Sequence, residues 1–164
     1  PAGPVPTGAV QRIVWHAGRG PSGSNRQPFR FLVLRDGPNT EAAKALLGEA
    51  FRAGWATKRA GDGYRPSRFA DSMQHYVDNF EATPVVVLVC LDRYREPSPY
   101  EGASVYPACQ NLLLSPRALG YGGASTLCPR AVVAALRGLL VSPATFSLSA
   151  RITLAVPAAR PGSP

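Results

Sequence analysis

The sequence predicts a layered fold, α+β or α/β, in which helices cover both faces of a small sheet. Two observations lead to this prediction. The three predicted strands are strongly apolar, and helical patterns separate each strand from the next, without internal repeats. The length of 164 residues suits a single domain, and 45% hydrophobic against 17% charged residues is the composition of a chain that buries a core.

Apolar residues at every third or fourth position predict five helices. Their expected ranges are 7–17, 40–52, 67–80, 101–119 and 130–140. We expect Thr7 and Thr40 to cap the first two helices, because a threonine hydroxyl accepts hydrogen bonds from the free N–H groups of a helix start. Pro116 should kink or unwind the fourth helix, since proline lacks the N–H that an interior position donates.

Three apolar runs predict strands over 29–34, 85–91 and 150–156. The unbroken β-branched run at 85–91 is typical of a strand that is buried on both faces. The glycine-rich, charged segment 54–66 is expected to be a mobile loop, in which Trp55 and Tyr64 are candidates for covering a substrate pocket. The ends, 1–6 and 158–164, are rich in Pro, Gly and Ala and are expected to be loose.

The formal net charge is +8, and nearly all of the 18 basic residues are arginines, since lysine occurs only at Lys44 and Lys58. The planar guanidinium of arginine matches phosphate and carboxylate oxygens. This charge therefore suits a phosphorylated cofactor, an anionic substrate or a nucleic acid. The arginines are scattered, whereas nucleic-acid binders usually concentrate them on one helix or run, so we expect no nucleic-acid partner.

The three cysteines have no CxxC spacing and lie in apolar surroundings, which predicts buried free thiols and a cytoplasmic protein. His16 and His75 have no metal-like spacing, so we expect no metal site. No Ser/His/Asp or Cys/His arrangement is evident, and we expect no catalytic side chain. The longest apolar run is too short to cross a bilayer and no apolar leader opens the chain, so we expect no membrane association.

The segment between the first helix and the first strand carries a more specific signal, Pro21-Ser22-Gly23-Ser24-Asn25-Arg26-Gln27-Pro28-Phe29. It resembles the flavin-contacting motif of the nitroreductase family, Pro-Ser-x-x-Asn-x-Gln-Pro followed by an aromatic residue. A second match runs from 101–104 through 109–114 to 118–123 and is similar to the family's central helix and the glycine turn after it. Weaker matches follow in the family's order at 82–84 and 137–156.

The resemblance implies an α+β fold, a three-layer sandwich with a central, mostly antiparallel sheet flanked by helices. It also implies an intertwined homodimer that buries two FMN cofactors at its interface. The leading function is then a ping-pong oxidoreductase: NAD(P)H, bound transiently, reduces FMN, which reduces a small nitroaromatic or quinone-like acceptor. Two alternatives on the same fold stay open, a non-catalytic or degenerate flavin-binding protein and a biosynthetic flavin-dependent dehydrogenase.

The resemblance further implies which residues contact FMN, with one group from each subunit. Amides and hydroxyls of the first group can meet the alternating donors and acceptors of the isoalloxazine edge. Backbone N–H groups of the second group, in the glycine turn, would lie near flavin N5 and O4. The first group is Pro21, Ser22, Gly23, Ser24, Asn25 and Gln27. The second group is Gly122, Gly123, Ser125, Thr126 and Leu127.

The sequence departs from the family where the FMN phosphate is bound. Family members have an arginine-rich segment before the first helix and a basic cluster after the last strand. Neither has a counterpart in this sequence, which we expect to be a truncated or divergent member. Residues 155–157, Ala-Val-Pro, stand where a glycine usually follows the last strand. Arg12, Arg19 and Arg160 are the candidates for binding the phosphate.

Overall fold

The computed structural model describes residues 3–140 and 142–157. This part of the chain contains five helices and four strands, joined by loops and single 3₁₀ turns. The elements are α1 (Thr7–Ala17), β1 (Phe29–Leu34), α2 (Pro38–Ala60), α3 (Arg68–Asp78), β2 (Val85–Asp92), α4 (Tyr106–Ala118), β3 (Gly122–Thr126), α5 (Val133–Leu140) and β4 (Phe146–Ala155). The 3₁₀ turns are Gly23–Asn25, Phe80–Ala82, Glu101–Ser104 and Arg130–Val132.

The four strands form one sheet in the order β1-β2-β4-β3, and every neighbouring pair is antiparallel. The central position of β2 explains its composition, because each residue from Val85 to Leu91 is buried. β1 and β3 form the two edges of the sheet. Three strand spacings of about 4.8 Å place these edges about 14 Å apart. The predicted sheet of antiparallel strands is confirmed.

The sheet carries a hydrophobic core on each face. On one face, α1 and α4 pack against Val85, Val87 and Val89. On the other face, α2 and α5 pack against Val86 and Leu88, the alternate residues of the same strand. α3 packs on the outside of α2 in a small cluster of its own. The helix–sheet–helix arrangement confirms the predicted three-layer sandwich.

Helix α2 is longer than the sequence predicted. It begins at Pro38 after Gly37, whose φ of +103° turns the chain into the helix, so Thr40 is an interior residue and not the N-cap. It continues to Ala60, which makes the prediction of a loop wrong for residues 54–60. Trp55 is buried in the cluster with α3 and donates from Nε1 to Gln74 Oε1 at 2.9 Å, so it does not cover an open pocket.

The first helix keeps its predicted bounds but not its predicted cap. Thr7 is already helical, the N-cap is Pro6, and the Thr7 hydroxyl accepts a hydrogen bond from Arg35 instead. The preceding chain is not loose throughout, because Val5 is fully buried and its carbonyl accepts from Arg35 at 3.0 Å. Residues 1–2 and 158–164, also expected to be loose, lie outside the described residues.

The predicted fourth helix is divided into a 3₁₀ turn, Glu101–Ser104, and helix α4. Pro116 lies in the last turn of α4, where its own carbonyl accepts from the N–H groups of Leu119 and Tyr121. The proline therefore accompanies the end of the helix and does not kink its middle. Among the described residues, no helix is long and apolar enough to cross a membrane.

The cysteines are free, as predicted, with Cys90 and Cys109 buried and Cys128 half-buried. Burial raises the pKa of each of these three thiols to about 11. Thiols that stay protonated at neutral pH are poor nucleophiles and poor metal ligands. They serve as small apolar residues of the core.

Candidate functional site

The motif before β1 folds as a tight, irregular turn. Ser22 is extended, and Gly23–Asn25 form one 3₁₀ turn. Three non-glycine residues lie in the left-handed region of backbone space, Ser24 and Asn25 at φ of +52° and Gln27 at +49°. Asparagine tolerates this conformation, whereas serine and glutamine are strained in it, at a cost on the order of 1–2 kcal/mol each. Strain of this kind persists where surrounding contacts impose it and is concentrated at functional sites.

Two serine hydroxyls impose this conformation. Ser22 Oγ accepts from the backbone N–H of Gln27 at 2.7 Å and closes the turn on itself. Ser104 Oγ accepts from the backbone N–H of Gly23 at 3.1 Å. The Ser22 hydroxyl oxygen thus positions the backbone of the turn, and its predicted contact with the cofactor stays a prediction. Ser104 belongs to the second matched motif and was not predicted as a site residue.

The contact between Gly23 and Ser104 depends on a close approach of two helices. A Cβ added to Gly20, just after α1, would lie 2.8 Å from the backbone N of Ala108 in the first turn of α4. Real Cβ atoms do not approach backbone so closely, so only glycine fits at this position. The end of α1 is thereby fixed on the start of α4. The two motifs that the sequence analysis singled out meet at this point.

The polar side chains of the turn are left free. Ser24, Asn25 and Gln27 are exposed, and no described residue hydrogen-bonds their side-chain hydroxyl or amide groups. Arg26 is also exposed, and its guanidinium lies 4.5 Å from the centre of the Tyr94 ring. A rigid backbone therefore presents one hydroxyl and two amides to the outside. Amides offer both donors and acceptors, which suits the edge of a planar heterocycle.

Ion pairs fasten the neighbouring chain segments. Arg30 lies 3.2 Å from the carboxylate of Asp92, and Arg93 binds Glu101 through two nitrogens, with the shortest contacts at 3.0 Å. The Arg93 guanidinium holds the pKa of Glu101 below its usual value. These two arginines are neutralised by their partners. They tie the start of β1, the end of β2 and the 101–104 turn into one rigid frame around the motif.

Four of the five residues of the second predicted group lie in a strand and not in a turn, and Leu127 follows this strand directly. Gly120, at φ of +83°, reverses the chain after α4, and Gly122–Thr126 then form β3 at the sheet edge. The prediction of a glycine turn over these residues is therefore wrong. Glycine and alanine, which make up three of the five residues of this strand, have low strand propensity, so the sequence did not predict β3. The strand forms because it pairs with β4 from Gly122↔Ala155 to Thr126↔Arg151.

The edge position of β3 leaves part of its surface open. Gly123, Ala124 and Ser125 are exposed, and Leu127, directly after the strand, is 76% exposed. One side of an edge strand has no neighbouring strand, so alternate N–H groups along it point outward. Outward-pointing backbone N–H groups of β3 therefore lie among the residues of the second predicted group.

Thr126 makes a contact that the sequence did not suggest. Its Oγ1 accepts from Nε of Arg151, at 2.9 Å, and Arg151 is fully buried under the sheet. Both terminal nitrogens of this guanidinium lack a hydrogen-bond partner among the described residues. No motif marked Arg151, because an arginine inside an apolar strand is recognised only when its neighbours are known.

The two predicted groups do not meet within one chain. The Ser22–Gln27 turn precedes β1, and the second group lies on β3, at the opposite edge of the sheet. β2 and β4 lie between them. If both groups contact one ligand, a second copy of the chain has to supply one of them.

Of the candidates for phosphate binding, Arg12 and Arg19 line one groove between α1 and α4, together with His16, Asn111 and Ser115. The groove has a volume of about 550 Å³. Arg160 lies outside the described residues. The structure therefore brings two of the three candidates together.

A model of the nitroreductase family matches residues 2–155, which include both motifs and all nine helices and strands of the described residues. This chain belongs to the nitroreductase family. Comparison with curated proteins gave no match.

Solved structures with the same fold span different activities. Iodotyrosine deiodinase, bound to FMN and 3-iodo-L-tyrosine, has a TM-score of 0.72 and 21% identity, covering 100% of this chain and 86% of that chain. A BluB-like flavoprotein from Clostridium difficile 630 has a TM-score of 0.68 and 22% identity, with the same coverage. A protein from Desulfovibrio desulfuricans designated a nitroreductase, in complex with FMN, has a TM-score of 0.67 and 28% identity, covering 100% and 81%.

Proposed function

We propose that this nitroreductase-family protein is an FMN-dependent oxidoreductase that works as a homodimer. In this proposal NAD(P)H would donate a hydride and a small nitroaromatic or quinone-like acceptor would take it up at the same site, with FMN, when bound, as the redox group between them. The observation that carries the proposal is the strained, firmly anchored turn at 22–27. The side chains of Ser24, Asn25 and Gln27 are exposed in it and have no hydrogen-bond partner among the described residues.

The donor set of the chain fits an isoalloxazine ring. Asn25 and Gln27 would orient the pyrimidine edge through their amides, while Ser22 and Ser104 hold the backbone beneath them. Backbone N–H groups within the segment Ser125–Leu127 would donate to acceptors on the ring. When bound, FMN supplies the hydride transfer at its N5, and the chain supplies orientation and electrostatics. Arg12 and Arg19 remain our candidates for the phosphate.

The separation of the two groups on opposite sheet edges supports the homodimer. A site built from the turn of one subunit and β3 of the other would be incomplete in a monomer. α1 and α4 also expose large apolar side chains, Trp15, Tyr106 and Leu114, at 50–58% of their surface. We propose that the second subunit covers these side chains.

The first test is FMN binding and turnover. We expect the purified protein to bind FMN. In the absence of oxygen, addition of NADH or NADPH should bleach the absorption bands of the bound flavin. Addition of a nitroaromatic compound or a quinone should then restore these bands. Bound flavin that stays oxidised with either donor would favour the non-catalytic alternative. A protein that binds no FMN would refute the proposal.

The second test addresses the residues. Replacement of Asn25 and Gln27 by alanine should weaken FMN binding by roughly tenfold to a hundredfold, since each lost hydrogen bond contributes about 0.5–1.5 kcal/mol. Replacement of Asn39 and Gln11, which are exposed outside the motif, provides a matched control and should leave affinity unchanged. Equal affinities of the two double variants would contradict the site assignment.

A mixing experiment tests whether two subunits share each site. Leu127→Pro removes the N–H of an exposed residue after β3, and the Asn25→Ala/Gln27→Ala variant damages the turn. Each variant alone should bind FMN poorly. In a refolded mixture, half of the dimers are mixed, and each mixed dimer has one intact site, so roughly a quarter of the sites should recover. No recovery in a mixture shown to contain mixed dimers would refute a shared site.

A further inference from the structure

Arg151 is the largest fully buried side chain of the structure. It extends from β4 toward α2, where its guanidinium carbon lies 4.3 Å from the centre of the Phe51 ring and 4.7 Å from that of Phe80. Nε donates to Thr126 Oγ1, and the two terminal nitrogens have no partner among the described residues. Two aromatic rings thus hold the cation in place beneath the end of β3.

This arrangement lacks the usual compensation for a buried charge. Buried ions are normally paired with an opposite charge, and each buried donor normally has an acceptor. In the described part of the chain, no carboxylate lies within ion-pair distance of Arg151. Ring faces attract the cation, but they do not accept its N–H groups as an oxygen does. Burial lowers the pKa of Arg151, as expected for a charge held without a counter-ion.

The position of the charge suggests what it acts on. Arg151 is the cross-strand partner of Thr126, the last residue of β3, and its charge also acts on the Cys128 thiol, two residues further along. The guanidinium therefore lies under the segment 126–128, where the proposed function places backbone donors against the flavin. A charge in an interior of low dielectric acts over several ångströms with little screening.

We propose that Arg151 is a positioning residue that makes a bound flavin easier to reduce, through its uncompensated positive charge and its hold on Thr126. Uptake of one hydride, which is one proton and two electrons, from reduced nicotinamide leaves oxidised nicotinamide and gives the ring one negative charge. The positive charge beneath β3 stabilises that state over the neutral oxidised ring. This inference rests on the proposed function.

The two-electron midpoint potential of the FMN-loaded protein tests the inference. We expect the Arg151→Met substitution to lower the affinity for reduced FMN at least tenfold more than the affinity for oxidised FMN. This change lowers the midpoint potential of the bound flavin by about 30 mV or more relative to the wild type. Arg151→Lys, which retains the charge, should recover most of this shift. Arg137→Met is the matched control, because this arginine binds backbone carbonyls near the far end of β4, roughly 17 Å along the strand.

The unaltered protein provides a second measurement that does not depend on the folding of a variant. It should bind reduced FMN more tightly than oxidised FMN, so that its potential lies above that of free FMN. A potential below that of free FMN, or equal potentials for wild type and a folded Arg151→Met protein, would overturn the inference and leave the proposed function intact. A protein that binds no FMN would refute both.

Discussion

Replacement of Gly20 by alanine tests whether the contact between α1 and α4 sets both the stability of the fold and the shape of the site. The new Cβ would lie 2.8 Å from N, 3.0 Å from Cα and 3.2 Å from Cβ of Ala108. All three atoms belong to the first turn of a helix, so no flexible side chain can move aside. Overpacking of this kind costs about 1–3 kcal/mol. In a domain of this size, a loss of about 2 kcal/mol lowers the Tm by roughly 4–8 °C.

The same variant should also weaken FMN binding several-fold, because a shift of α1 against α4 moves Gly23 away from Ser104. Thermal unfolding followed by circular dichroism and titration with FMN measure the two effects. Gly54→Ala is the control, since Gly54 lies inside α2 with open space around its missing Cβ. It should raise stability by about 0.5–1 kcal/mol, the helix preference for alanine over glycine. A Gly20→Ala protein as stable as wild type would refute the close contact.

Two further predictions concern the thiols and the turn. Burial raises the pKa of the Cys90 and Cys109 thiols from 9.0 to about 11. As the pH rises, the thiols therefore lose their protons in the unfolded chain before they do so in the folded protein. The free energy of unfolding should fall between pH 9 and 11, by up to about 2–3 kcal/mol per thiol. Urea unfolding at pH 8–11 should show that the free energy of unfolding falls less steeply with pH in Cys90→Ala/Cys109→Ala than in the wild type. Parallel falls in the two proteins would contradict this prediction. Ser24→Gly should stabilise the protein by about 0.5–1 kcal/mol, because glycine adopts φ of +52° without strain, and should weaken FMN binding. Lower thermal stability of this variant would show that Ser24 is not strained.

The elements that the sequence predicted well are those whose pattern comes from burial. β1 has its predicted bounds, 29–34, and β2 extends by one residue beyond the predicted 85–91. In β2 the alternate residues face two separate cores, so both sets have to be apolar and the run is unbroken. The helical periodicity of α1 likewise gave its bounds, because one face of this helix covers the sheet. Patterns of this kind, in which burial against the core decides the residue type at each position, can be recognised in the sequence alone.

The errors occur where tertiary contacts override local preference. α2 continues past Gly54 because Trp55 is buried against α3, a contact that lies outside the local periodicity. β3 is made of glycine, alanine, serine and threonine and forms only because β4 offers an edge to pair with. Neither the length of α2 nor the existence of β3 is encoded within the segment itself. Sequence analysis therefore assigned both segments to irregular chain.

The motif at 21–27 shows a similar limit for the site. Residue types alone suggested that each polar side chain of the segment faces the cofactor, but the structure separates them into two roles. Ser22 and Ser104 hold the backbone, whereas Asn25 and Gln27 are held in a strained shape with their amides free. A backbone that is already fixed loses little freedom when a ligand binds, and this lowers the entropic cost of recognition. The anchoring serines should therefore affect FMN affinity as strongly as Asn25 and Gln27, which we propose to contact the ring.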